Sequence, residues 1–268
     1  MIDRLGGDRT SGASELMGPA IAAIRLAAPG GPRAVEEAAL AICEAQPSMA
    51  SLRNLAVAAR HEAVEPGALD RFEQRWQRSA GALVRVAQGA LAPEPGRPGR
   101  FVTCSFSGSV LACLQAIAAT APLHVSCGEG RPAFEGRRMA EALAEAGIEV
   151  ELRTDAALSG ALPGTDGLLV GADAITPAWF LNKCGTTQLA AAAAHVGTAV
   201  YVVATRDKVV DRQAGESLGI DDHDPREVWD AAPPGIAVRN PYFERVPMEL
   251  VTAVITDGGV RAVGAASG

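Results

Sequence analysis

The stretch DGLLVGADAITPAWFLNKCGTTQLAAAAAHVG, residues 166–197, decides the fold. Its opening, DGLLV, is a short apolar run that reads as a buried strand and leaves Asp173 just past the strand's carboxyl end. Its close, GTTQLAAAAAHVG, reads as a helix opening at Gly185 and Thr186 and ending at Gly197. Between the two, a carboxylate (Asp173), an amide (Asn182) and an ammonium (Lys183) precede the helix start. Helix N-termini offer unpaired N–H groups and partial positive charge. Lys183 and Thr186 are therefore expected to favour a phosphate there, with Asp173 facing a carbon skeleton as acid or base. Taken singly, each of the three suits a helix cap or a surface ion pair; together at a strand-to-helix junction they point to a site for a phosphorylated polyol.

The same alternation extends on both sides. FVTCS (101–105), LHVSC (123–127), IEVEL (148–152), GLLVGAD (167–173) and TAVYVVA (198–204) are short β-branched runs, with helical stretches such as GSVLACLQAIAAT and GRRMAEALAEAG between them. This pattern predicts an α/β fold with a mostly parallel sheet covered on both faces, whose ligands bind at the carboxyl ends of the strands. Residues 1–92 instead show only helical spacing, in SELMGPAIAAIRLAA, AVEEAALAICEAQ, MASLRNLAVAAR and LDRFEQRWQRSAGALVRVAQGAL. The proline- and glycine-rich LAPEPGRPGR marks the boundary, so the expected division is a helical domain over 1–92 and a Rossmann-like domain over 93–268. Apart from a small GAASG terminus, no low-complexity segment or internal repeat is evident.

Composition narrows the function. A chain of 268 residues holds a sizeable core, and its net charge of −7, with no basic run longer than Arg137-Arg138, argues against nucleic acid or an anionic membrane as main partner. The five cysteines are widely spaced in apolar runs and read as reduced thiols; neither a metal nor another cofactor is expected. MIDRLGGDRTSG has no apolar segment of the secretory kind, and the longest apolar run is interrupted by His195 and Gly197, so a cytoplasmic location is expected.

Two further turns carry candidate chemistry. In CSFSGSV (104–110), Ser105, Ser107 and Ser109 could cradle an anion beside free backbone N–H groups or act as ordinary helix caps. In GEGRPAFEGRRMA (128–140), Arg131 sits in a loop fixed by Pro132 and followed by Gly136, and its guanidinium suits bidentate phosphate binding; Arg137 and Arg138 read as solvated helix residues. Lys208 in ATRDK offers a second ammonium or an exposed pair with Asp207. His124 at a strand start and His195 at a helix end read as packing or capping residues.

The runs EGRPAFEGRRMAEALAEAGIEV, VGADAITPAWFLNKCGTTQLA and NPYFERVPMELVTAVITDGGV, with DRTSGASELM and QPSMASLRNL in the helical half, resemble one superfamily. It unites the regulatory subunits of eukaryotic translation initiation factor two-B, methylthioribose-1-phosphate isomerase and ribose-1,5-bisphosphate isomerase. The resemblance implies a helical domain, a Rossmann-like domain, a homodimer or higher homo-oligomer, and a pocket for a sugar phosphate or nucleoside monophosphate between the domains. It makes Asp173 the counterpart of the catalytic aspartate and Asn182 and Lys183 that of the substrate-binding pair. Gly12, Ala13, Ser107, Arg131, Gly136 and Lys208 are the further expected ligands of the substrate. Three departures stand out: Ser105 where the isomerases have cysteine, with Cys104 one position early; Ser11 before Gly12 and Ala13 where they tend to have arginine; and Thr205 where a glutamate is common. Two functions follow from the resemblance. One is an aldose-ketose isomerase acting on a sugar 1-phosphate, with Asp173 and either Ser105 or Cys104 in the chemistry; the other is a non-catalytic regulatory sensor. Of the two adjacent residues, Ser105 is expected to face the pocket and Cys104 to be packed.

Overall fold

The structure, a computed structural model, describes residues 12–62, 64–220 and 222–263; Ser11 and the GAASG terminus lie outside the described residues. Four helices come first: α1 (Ala13–Ala27), α2 (Gly31–Ala45), α3 (Ala50–His61) and α4 (Ala68–Ala90). Each presents the apolar stripe that its spacing announced. Leu16, Met17, Ala20 and Ile24 of α1 meet Ile42 of α2, Leu52 and Leu55 of α3, and Leu69 and Phe72 of α4 in one buried cluster. The far end of α4 serves a different core, since Leu83 and Ala87, with Leu91 just beyond, pack against the sheet.

The remaining chain lays down β1 (Gly99–Thr103), α5 (Gly108–Ala118), β2 (Leu123–Gly128), α6 (Glu135–Glu145), β3 (Glu149–Arg153), β4 (Gly167–Val170), β5 (Ala174–Ile175) and β6 (Trp179–Lys183). It continues with α7 (Thr186–Val196), β7 (Val200–Val203), α8 (Arg212–Glu216), β8 (Phe243–Pro247), β9 (Ala253–Thr256) and β10 (Gly259–Ala262). Seven strands form one sheet in the order β10-β9-β7-β4-β1-β2-β3, parallel except for β10. Successive residues serve opposite faces: Val102, Leu168 and Val202 join a cluster with α7, while Phe101, Leu169 and Val203 join one with α5, α6 and the end of α4. Burial on both sides explains why these strands read as nearly continuous apolar runs.

β1 is the strand from which the order runs both ways, through β2 and β3 on one side and β4, β7 and β9 on the other. The carboxyl ends of β1 and β4 therefore open on a crevice at a topological switch point, where doubly wound sheets bind ligands.

One part of the expected layout changes. The segment between β4 and α7 is not a simple junction, because β5, β6 and β8 form a second, antiparallel sheet of three strands. The β5–β6 connection is closed by Thr176, whose hydroxyl donates to the carbonyl of Trp179 at 2.7 Å and accepts from its amide at 3.0 Å. Among the described residues no helix is long and apolar enough to cross a membrane, and no group of three or more His, Cys, Asp or Glu is placed to hold a metal ion.

Candidate functional site

The chain turns sharply where β1 ends. Thr103 is its last residue, Ser105 adopts left-handed backbone (φ 63°), and Ser107 caps α5 by accepting the Val110 amide at 3.3 Å. Directly after β4, a Cβ on Gly171 would lie 2.5 Å from Ser107 Oγ, so glycine is what lets the two strand ends close on each other. Beside this contact lies a cleft of about 190 Å³ lined by Gly12, Ala13, Ser107, Asp173, Asn182 and Lys208, among others. Seven of the residues singled out in the sequence, Ser109 among them, thus come together here.

Bonds to the main chain fix two of the charged members of the cleft, Asp173 and Lys208. The Asp173 amide donates to the Leu181 carbonyl at 2.8 Å, and its carbonyl accepts the Ala50 amide at the start of α3 at 3.0 Å. One turn along α3, Asn54 Nδ2 donates to the carbonyls of Asp207 (2.7 Å) and Val209 (3.1 Å), clamping the turn that carries Lys208. Lys208 is 7% exposed and forms no ion pair among the described residues, which replaces the exposed Asp207 pair read from the sequence; Asp207 Oδ1 is itself buried without a partner. Desolvation holds the Asp173 carboxyl above the usual carboxylate range, and the Lys208 charge opposes that rise. Glu15 also lines the cleft, with its carboxylate bound to the Gly12 amide at 2.8 Å as a cap on α1.

The other candidates occupy a second cavity of about 270 Å³, lined by Cys104, Ser105, Arg131 and Lys183 together with the apolar Leu158 and Leu189. Cys104 and Ser105 both line it, contrary to the expectation that one would be packed away. The strand has ended at Thr103, so the alternation of extended backbone no longer applies. Burial pushes the Cys104 thiol up to about 11; a hydrogen bond with Thr186 Oγ1 at 3.7 Å opposes this, and the charges of Asp155, Glu135 and Glu244 add to it. Ser105 Oγ donates to Glu135 Oε1 at 3.0 Å, and the same oxygen takes the ion pair of Lys183, whose ammonium lies 4.4 Å from the Tyr242 ring centre. Asn182 and Lys183 are consecutive on β6 and so face opposite ways, one into each cavity.

The expected phosphate seat at the head of α7 is already filled. The amides of Gly185 and Thr187 both donate to Glu244 Oε1, at 2.8 and 2.9 Å, while the buried Thr186 hydroxyl donates to the Lys183 carbonyl at 2.6 Å and pairs with Asn182 Nδ2 at 3.0 Å. A carboxylate of the chain's own stands where an anionic ligand was anticipated. Asp155 does the same for the next loop, accepting the Gly130 and Arg131 amides at 2.9 and 2.7 Å. The Arg131 guanidinium is exposed, 5.0 Å from the Phe134 ring centre. Gly136 lines neither cavity: a Cβ there would fall 1.8 Å from the Gly128 carbonyl oxygen, so it permits the close seating of α6 against the end of β2.

Glu135, Asp155 and Glu244 were not singled out in the sequence. Glu135 gave a signal, an acid at the first position of a helix. Glu244 gave none, because its partners lie on another strand's continuation.

The initiation factor 2 subunit family model matches residues 22–262. The chain is 36% identical to methylthioribose-1-phosphate isomerase of Desulforudis audaxviator over 186 residues, 63% of this chain and 53% of that one. To ribose 1,5-bisphosphate isomerase of Archaeoglobus fulgidus it is 36% identical over 144 residues, 51% of this chain and 45% of that one. The chain thus spans about half the length of these two relatives. Among solved structures, the crystal structure of translation initiation factor eIF-2B from Pyrococcus horikoshii OT3 superposes with a TM-score of 0.82 at 26% identity, covering 97% of this chain and 95% of that one.

Proposed function

Because this chain belongs to the initiation factor 2 subunit family, we propose that it is an aldose-ketose isomerase acting on a sugar phosphorylated at C1, with Asp173 as acid and base. One observation carries this reading. A carboxyl held high by desolvation shares a cleft at the switch point of the sheet with the buried ammonium of Lys208, which has no ion pair among the described residues. The two 36%-identical relatives named as sugar-phosphate isomerases support it.

The chemistry follows from the arrangement. The phosphate would sit between Lys208 and the head of α5, where the amides of Gly108 and Ser109 have no intrahelical carbonyl to bond. An anomeric phosphate ester opens only if its ring oxygen gains a proton. Asp173, protonated, supplies that proton; a hydride then moves from C2 to C1, and the C2 hydroxyl gives its proton back to Asp173. No atom leaves, and the residue ends as it began. Asn182, with Nδ2 committed to Thr186, keeps its carbonyl oxygen for a sugar hydroxyl.

Ser105 favours a second reading, a non-catalytic sensor of a sugar phosphate or nucleotide. It stands where the isomerases have cysteine, and its hydroxyl is committed to Glu135. Mass spectrometry of metabolites that copurify with the protein, followed by incubation with the matching sugar 1-phosphates, separates the two. Formation of the ketose phosphate supports the isomerase, whereas tight binding with no conversion of any sugar phosphate supports the sensor.

A further inference from the structure

We propose that a groove of about 490 Å³ between α3, α4 and the turn at Arg206 and Asp207 binds a free α-amino acid with a large apolar side chain. Arg75 takes its carboxylate and Asp207 its ammonium. The groove shares no lining residue with the cleft at Lys208 or the cavity at Cys104, so the proposal stands apart from the sugar-phosphate reading.

The groove has an apolar wall. Phe72 and Trp76 of α4 are four residues apart and so share one helix face, and α3 adds Val57, which is 43% exposed. Three guanidinium groups and three carboxylates complete the charged lining, and most of them are committed to each other. Arg71 pairs with Glu65 at 2.6 Å, and Arg206 with Asp257 at 2.9 Å. Arg75 and Asp207 are left over. Neither side chain forms a hydrogen bond or ion pair among the described residues, and Asp207 Oδ1 is buried without a partner. They line one groove without pairing with each other, so a molecule that carries both charges is what satisfies both.

The same inventory disfavours other ligands. A phosphate ester or a dicarboxylate would find one uncommitted guanidinium and meet Asp207 as like charge. An uncharged apolar molecule would cover Asp207 and leave its charge unpaired. An α-amino acid brings an ammonium for Asp207, a carboxylate for the fork of Arg75 and a side chain for Phe72 and Trp76, where an aromatic ring adds favourable ring contact. The volume is that of a small-molecule site, largely apolar with a few convergent polar groups. The acidic end is also held in advance: Asn54, on the same lining, donates to the carbonyls of Asp207 and Val209 at 2.7 and 3.1 Å, so little ordering of that turn is left to be done on binding.

Titration calorimetry of the wild-type protein with L-phenylalanine, 3-phenylpropionate and phenethylamine tests the proposal, since the last two keep the ring and lose one charge each. L-Phenylalanine should bind, and each analogue about tenfold more weakly or worse, the low end of what a hydrogen bond to a charged group contributes. Arg75→Gln should weaken L-phenylalanine about tenfold and leave phenethylamine no weaker, while Asp207→Asn should weaken L-phenylalanine similarly and leave 3-phenylpropionate no weaker. Arg75 is exposed and the asparagine keeps the shape of the aspartate, so both variants should fold, which thermal unfolding checks. Loss of all three ligands alike in both variants would make the two residues merely structural and overturn the proposal. So would the absence of heat with L-phenylalanine at millimolar concentration, or equal binding of the three by wild type. A groove covered by a second copy of the chain, read by light scattering as a dimer that Arg75→Gln dissociates, would overturn it too. None of these ligands is a sugar phosphate, so each outcome leaves the isomerase reading where it stands.

Discussion

Lys208→Met is the substitution that most cleanly separates binding from folding. The ammonium is 7% exposed and without an ion pair among the described residues, while its turn is held by Asn54 through main-chain carbonyls that the substitution leaves in place. Methionine fills the space of the lysine stem and removes a desolvated charge, so the melting temperature should hold or rise. Affinity should fall. Charge-assisted hydrogen bonds are worth about 1.5–3 kcal/mol, which corresponds to about 10- to 150-fold weaker binding of a sugar 1-phosphate. A second consequence has a fixed sign: Lys208 lowers the Asp173 carboxyl, so its loss must raise that group further, and the limb of the pH-rate profile set by Asp173 must move to higher pH. Calorimetry across pH, paired with thermal unfolding, reads all three effects, and Lys208→Arg should restore most of the affinity. Unchanged affinity with an unmoved pH profile would remove Lys208 from the site.

Two further substitutions test other parts of the account. Gly136→Ala places a Cβ 1.8 Å from the Gly128 carbonyl oxygen and should cost about 3 kcal/mol or more of stability, seen as an earlier midpoint in urea. A variant as stable as wild type would show that α6 does not seat as described. Ser105→Cys replaces a hydroxyl bound to Glu135 with a thiol lining the same cavity, and should create or raise isomerase activity, because a thiol is the far stronger acid. If instead Cys104 already serves, Cys104→Ala will destroy an activity present in wild type and Ser105→Cys will add nothing.

The parallel sheet and its helices were legible because each strand is a short apolar run and each helix keeps one periodic face, and local sequence carries both signals. The position of Asp173 three residues past the end of β4 was legible for the same reason. The small antiparallel sheet was not: β5 is two residues long, and Phe180 to Lys183 of β6 are all buried, so no alternation marks them. The phosphate seat was misjudged at α7 because Glu244, which fills it, lies 59 positions from Gly185. The burial of Lys208 likewise depends on a partner 153 positions from Asp207, Asn54. Long-range pairs of this kind decide which of several plausible cations remains free, and no single segment states them.

In the proposed isomerase Asp173 moves the proton. Burial raises its carboxyl in the folded protein, so its contribution favours folding below the ordinary carboxylate range and fades as pH rises through the raised value. Asp173→Asn removes that loss, so the variant's melting temperature should gain on that of wild type more at pH 8 than at pH 4. It is therefore expected to fold and to bind. Phosphorus NMR of a panel of pentose 1-phosphates incubated with wild type and with Asp173→Asn is the direct measurement. A ketose phosphate signal is expected with wild type and none with the variant, whose affinity for the same sugar stays close to wild type. Retained turnover in Asp173→Asn would contradict it.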